Sequence, residues 1–159
     1  KKLKLNRPIG LCWGCFDLLH AGHIMHFKFA KKYCKTLIVA INSDLYYPDK
    51  GKGRPVLSEK NRLNILNEIN VIDYSIVYRG KVLKDKNNLG YLHGKIVNLP
   101  FIPLDLFKYI MPDFYFKGYE YKGKNIPEIK ALKDTKTKII FGPKKNIFSS
   151  TKILGSIKK

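Results

Sequence analysis

"PIGLCWGCFDLLHAGHIMHFKFAKKYCKTLIVAINSD", residues 8 to 44, decides the fold. Its first part, "PIGLCWG" (8–14), is a short apolar run closed by glycine and reads as a buried strand. "AGHIMHFKFAKKYC" (21–34) puts Ile24, Phe27, Ala30 and Cys34 at helical spacing, and "TLIVAINSD" (36–44) is a second apolar strand. Strand, helix and strand in so short a span make a βαβ unit, which requires parallel pairing and a right-handed crossover.

The rest of the chain extends that unit. "YYPDKGKGRPV" (46–56) is a loop rich in Gly, Pro and Lys; Ser58 with Glu59 opens a helix through about Asn70; "YSIVY" (74–78) is a third strand. Residues 79–100 read as irregular. A short helix is expected near 103–110, a fourth strand at "DFYFKG" (113–118), a helix near 127–133 and a fifth strand at "TKIIFG" (137–142). Ser149 is placed as the N-cap of a last helix. The expected fold class is α/β: one Rossmann-like, doubly wound parallel sheet of about five strands with helices on both faces, forming a single domain over residues 1–159. In such sheets ligands sit at the carboxyl ends of the strands, beside the point where the strand order reverses.

Composition narrows the function classes. The chain has 159 residues, 45% hydrophobic and 13% aromatic, which suits a globular protein with a real core. The longest clean apolar run, "LIVAI" (37–41), is far short of a membrane span. "KKLKLNRP" at the start lacks the apolar stretch of a secretory signal, and three cysteines do not form a disulfide framework, so a cytoplasmic, reducing location is expected. A net charge of +19 invites a nucleic-acid reading, but of 31 basic residues only four are Arg, and the lysines are spread from end to end. Base readout and bidentate phosphate contacts favour Arg, so no specific nucleic-acid partner is expected, and attraction of small polyphosphates is the simpler use of the charge.

"CWGCFDLLHAGH" (12–23) admits three chemical readings. Cys12, Cys15, His20 and His23 have the residue types of a zinc site, and Cys-x-x-Cys alone is a redox pattern. Both fit poorly. Cys12 falls inside a buried strand, the helix begins only after His20, and the span is tight for four ligands around one ion. The third reading is a phosphate cradle. His-Ala-Gly-His sits where the helix starts, so free N–H groups, the positive end of the helix dipole and both imidazoles face one spot, and Gly22 permits close approach of a polyphosphate. His26, inside the helix, reads as a packing residue.

These residues resemble a known family. "GCFDLLHAGH" is similar to the G-x-F-D-x-x-H-x-G-H signature of the cytidylyltransferase-like nucleotidyltransferases. The likeness continues through "INSD", "KGKGRPVLSEKNRLNIL" (50–66), Asp73, "FKGYEY" (116–121) and "IFSSTKIL" (147–154), and the middle motifs most resemble the adenylyltransferase domain of the ADP-heptose synthases. Glycerol-3-phosphate cytidylyltransferases share the first and last motifs and match the middle less well.

The resemblance implies transfer of a nucleoside monophosphate from ATP or CTP to a phosphorylated small molecule such as a heptose 1-phosphate, with Mg²⁺ bridging phosphate oxygens and no dedicated protein metal ligands. His20, His23 and Lys50 would be catalytic. Gly14, Cys15, Phe16, Gly22, Lys117, Gly118, Glu120, Ser149, Ser150 and Thr151 would bind the nucleotide, with Glu120 or Tyr121 reading the ribose. Asp17, Asp44, Arg54 and Arg62 would serve the acceptor, with Asp17 held by N–H groups of its own turn and Arg62 either reaching phosphate or lying exposed on its helix. A homodimer is expected. The chain departs from the heptose enzymes in carrying Ile147 where many relatives have Gly, and in the insertion-like segment 80–103. The alternatives are a polyol-phosphate cytidylyltransferase and, from another class, a non-catalytic nucleotide or nucleic-acid binding module.

Overall fold

The computed structural model describes residues 5–44, 54–79, 89–92, 95–98, 104–126, 128–144 and 155–156. In chain order the elements are β1 (Ile9–Gly14), α1 (Ala21–Lys31), β2 (Thr36–Asn42), α2 (Glu59–Asn67), β3 (Tyr74–Tyr78), β4 (Leu89–Leu92), β5 (Lys95–Asn98), α3 (Leu104–Ile110), β6 (Phe114–Lys117), α4 (Ile129–Leu132) and β7 (Lys138–Phe141). The main sheet has the order β3-β2-β1-β6-β7, with every pairing parallel. The order reverses between β1 and β6, which puts the switch point beside the β1–α1 loop.

Alternation along the strands divides the core into two layers. Cys12, Leu37, Val39, Ile41 and Phe116 point to the side of α1 and α2, meeting Phe27, Ala30 and Leu66. Leu11, Ile38, Ala40 and Tyr115 point to the other side, against Leu106 and Phe107 of α3 and Ala131 and Leu132 of α4. All seven residues of β2 are buried, as a strand covered on both faces requires, which explains the unbroken apolar run. Gly10 is obligatory for packing: a Cβ there would lie 2.7 Å from the Cys34 sulfur and 2.8 Å from the Phe116 ring.

The strand starts are tied by two aspartates used in the same way. Asp73 accepts the N–H of Leu37 at 2.6 Å, and Asp113 accepts that of Ile9 at 2.6 Å, so each carboxylate serves the first rungs of a neighbouring strand. Both lie at the amino end of the sheet, opposite the ligand edge, and Asp73 therefore belongs to the fold.

Three sequence expectations need correction. α2 ends at Asn67, short of about Asn70. α1 ends at Lys31 instead of 34 because the chain turns back at once, with the Lys35 N–H donating to Pro8; Cys34 still packs into the same layer, so its side chain mimicked one more helical turn. The stretch read as irregular contains an antiparallel pair, with Leu89 opposite Asn98 and Leu92 opposite Lys95. Four-residue strands bearing Gly and Asn carry too little β-propensity to be seen by pattern. Gly155 and Ser156 are helical, whereas the Ser149 cap lies outside the described residues. Among the described residues no helix is long and apolar enough to cross a membrane.

Candidate active site

The carboxyl end of β1 leads into a loop that folds back on itself before α1. Phe16 and Leu18 both adopt left-handed backbone, with φ of 47° and 53°, a conformation that costs energy for residues with side chains. The bend turns the Phe16 ring toward α1, where it meets Phe27 at 5.1 Å and the edge of His23 at 5.5 Å between centroids. Gly14 accommodates it, since a Cβ there would sit 3.3 Å from that ring.

His20 and His23 form a capping box built of imidazoles. His20 occupies the N-cap with extended backbone, and its Nδ1 accepts the N–H of Gly22 at 3.1 Å. The Nδ1 of His23 accepts the N–H of His20 at 3.3 Å, and the two rings stack with centroids 3.9 Å apart. Orphan N–H groups of a helix start are thus served by side chains, as Ser and Glu do in the common form. An Nδ1 that accepts cannot carry a proton, so in the neutral ring Nε2 carries it. Desolvation lowers the His20 pKa from its ordinary value, which favours that neutral form. Both rings are therefore held as Nε2–H donors at the positive end of a helix.

Behind this loop lies a two-way brace, and here the structure reassigns residues. Asp17 is buried, and its carboxylate accepts the N–H groups of Val56 and Leu57, at 3.1 Å each by the nearer oxygen, and Nε of Arg54 at 2.7 Å. It anchors the segment before α2, beyond the own-turn role expected of it. Arg62 is wholly buried and donates to the carbonyls of Cys15 (2.6 Å), Leu57 (3.0 Å) and Asn42 (2.9 Å) and to Oδ1 of Asp44 (2.5 Å). An exposed helix arginine is excluded. The carboxylate takes N–H groups and the guanidinium takes carbonyls, so together they stitch the ends of β1 and β2 to the start of α2. Asp44 also accepts the N–H of Glu59 at 2.8 Å, while Glu59 accepts that of Asp44 at 2.9 Å. Asp44, Arg54, Asp17 and Arg62 thus meet as one network, and its visible role is to position the loop.

The end of β6 supplies the other wall. Lys117 pairs with Glu128 at the start of α4, while the Tyr115 hydroxyl donates to the same carboxylate at 3.0 Å. The ammonium lies 4.6 Å from the centre of the Tyr121 ring and 5.8 Å from that of Trp13. Glu120 folds back over Gly118, where a Cβ would come within 2.3 Å of its carboxylate, so the glycine is required for that approach. Glu128, Tyr115 and Trp13 escaped sequence reading because nothing in local pattern marks a buried ion pair formed across elements. Lys50, Ser149, Ser150 and Thr151 lie outside the described residues.

His26 is a packing residue with a titratable consequence. It hydrogen-bonds the Phe116 carbonyl, and it fits only because residue 142 is glycine: a Cβ there would lie 2.9 Å from its Nδ1. Burial pushes its pKa down to about 4. The folded state thus resists a proton that the unfolded chain accepts below about 6.5. The stability it contributes is complete above that value and is lost as pH falls through about 4. Thermal melts from pH 7 to 4 are expected to show a falling Tm, and His26→Gln should flatten the slope; an unchanged slope would place the titration elsewhere.

Cys12 is buried in β1, and desolvation, with Cys34 as a second cause, drives its thiol pKa far up, the reverse of what a thiolate ligand needs. Among the described residues no group of three or more His, Cys, Asp or Glu is gathered to hold a metal.

The cytidylyltransferase-like family matches residues 11–155. The bifunctional protein HldE of Campylobacter fetus subsp. fetus is 32% identical over 124 residues, covering 77% of this chain and 23% of that protein. HldE of Helicobacter pylori strain G27 is also 32% identical over 124 residues, covering 77% of this chain and 22% of its own length. The chain thus spans under a quarter of those relatives. Among solved structures, the lipopolysaccharide core biosynthesis protein of Thermoplasma volcanium superposes with a TM-score of 0.63 at 25% identity, covering 87% of this chain and 98% of that one. Pantothenate synthetase of Thermus thermophilus, 14% identical with a TM-score of 0.63, shares the fold. With its parallel sheet, its paired histidines at the α1 start and a family match over nearly its whole length, the chain belongs to the cytidylyltransferase-like nucleotidyltransferases.

Proposed function

We propose that the protein transfers a nucleoside monophosphate from an NTP to a phosphorylated sugar of the heptose 1-phosphate kind, releasing pyrophosphate. The observation that carries this reading is the imidazole capping box, which fixes two N–H donors at a helix N-terminus beside the switch point of the sheet. In the reaction an acceptor phosphate oxygen attacks the α-phosphorus; the new P–O bond forms as the bond to the β-phosphate oxygen breaks, and pyrophosphate leaves with that electron pair. No covalent enzyme intermediate is required, so the protein's share is alignment and neutralisation of charge on the phosphoryl oxygens. The Nε2–H groups of His20 and His23 donate to those oxygens, and the α1 dipole adds to the effect. Lys50 is assigned to the α- and β-phosphates, and Ser149, Ser150 and Thr151 to the far end of the triphosphate. Mg²⁺ would accompany the nucleotide, but the groups described at the α1 start are imidazoles and N–H donors, and the Asp17 carboxylate is engaged by Arg54, Val56 and Leu57. The described residues thus offer Mg²⁺ no carboxylate cluster, and no step is assigned to it.

The test needs no knowledge of the acceptor. Melting the protein with ATP, CTP, GTP or UTP and Mg²⁺ should show one nucleotide stabilising it well above the others, by about 2.7 kcal/mol at a hundred times its Kd. Equal, negligible shifts with all four would favour a binding module of another kind. Lys50→Ala should mainly slow pyrophosphate release while leaving Tm unchanged, and an unaltered rate would remove Lys50 from the chemistry.

A further inference from the structure

Among the described residues three buried side-chain atoms lack a hydrogen-bond partner: Nε1 of Trp13, Oδ1 of Asn42 and Oε2 of Glu128. Such atoms are rare and costly in native proteins, and each calls for an explanation. Here they share one region. Trp13, next to the last residue of β1, lies on the side packed by α3 and α4. Register pairs Trp13 with Ala40, so Asn42, two residues further along β2, projects from the same face. Glu128 starts α4 on that face and is joined to Trp13 through the Lys117 ammonium, which pairs with the carboxylate and lies over the indole. All three therefore stand on the α3/α4 side of the sheet, at its carboxyl end.

Their chemistry selects a ligand class. The indole offers an N–H donor, and Glu128 offers a carboxylate oxygen. The Asn42 amide has one end on the Cys15 thiol at 3.5 Å, and in either orientation its other end is left for an outside group. Lys117 is already paired with Glu128, so the two together offer a phosphate no net positive charge. Hydroxyls fit, because each can both donate and accept. The His20–His23 cradle, in contrast, begins α1, which packs on the opposite face.

We infer that Trp13, Asn42 and Glu128 form the subsite for the hydroxyl-bearing body of the acceptor, with the acceptor's phosphate crossing the end of β1 to the histidine cradle. This rests on the transferase reading above and moves acceptor recognition away from Arg62 and Asp17, whose polar groups brace the backbone. Specificity would then come from buried polar groups that an analogue lacking the hydroxyl leaves unpaired.

Trp13 is the chain's single tryptophan, so its emission reports on the subsite directly. Titration with heptose 1-phosphate and with glycerol 3-phosphate should give a saturable change for at least one of them, and inorganic phosphate none. Trp13→Phe, which keeps an aromatic ring and removes the N–H, should raise the acceptor KM roughly tenfold and leave the NTP KM within twofold. Emission that responds to the NTP and to neither acceptor, or turnover with an unmoved acceptor KM in Trp13→Phe, would overturn this inference while leaving the transferase reading intact. If wild type shows neither stabilisation by any NTP nor pyrophosphate release, the transferase reading fails and takes the subsite with it.

Discussion

Replacing Arg62 with methionine is expected to destabilise the protein by about 3–5 kcal/mol, the usual cost of removing one partner from a buried charged network. Methionine fills much of the same volume without a donor. The carbonyls of Cys15, Leu57 and Asn42 would lose their guanidinium, and Asp44 would keep a charge without its buried partner. For a chain of this size the loss corresponds to a Tm lower by roughly 10 °C or more. Arg62→Lys should fall between, because an ammonium keeps the charge but cannot span carbonyls from three segments in one plane. Denaturant and thermal melts separate this from a role in acceptor binding. A methionine variant as stable as wild type, but with a raised acceptor KM, would make Arg62 a substrate ligand and cut the brace out of the account.

Arg62 also shows what sequence reading could and could not reach. Its type and place at the start of a helix were visible, but its partners are carbonyls at residues 15, 42 and 57, and no side-chain pattern encodes where a distant backbone oxygen will point. Asp17 was missed in the same way: a held carboxylate was expected, yet its donors lie some forty residues downstream. The five strands of the main sheet, by comparison, were legible almost to the residue, most clearly β1 and β2, where burial demands continuous apolar runs with polar or glycine ends. The short β4 and β5 were not. The histidines were legible because helix starts leave N–H groups unserved, a local rule needing no tertiary knowledge. What the local rule did not supply was the reciprocity: each imidazole serves the backbone N–H of the other's turn, which settles the tautomer of both.

That reciprocity gives His23 two roles, and a pair of substitutions separates them. His23→Ala should lower turnover by roughly a hundredfold or more, the loss seen when a fixed donor to a developing oxyanion is removed. It should also cost about 1 kcal/mol of stability, because the His20 N–H loses its acceptor. A critic could then attribute lost activity to a frayed helix start. His23→Glu answers the objection. Glutamate is the usual third residue of a capping box, so its carboxylate can take the His20 N–H, and its charge suits the positive end of the helix. Stability should return to wild type or above. Turnover should stay at least as low as in the alanine variant, because a carboxylate now faces phosphate oxygens where a donor stood. If the glutamate variant regains both stability and turnover, His23 is a cap and nothing more, and the catalytic donor must be sought in His20 or Lys50. If stability returns and turnover does not, the Nε2–H of His23 acts on the reacting phosphate.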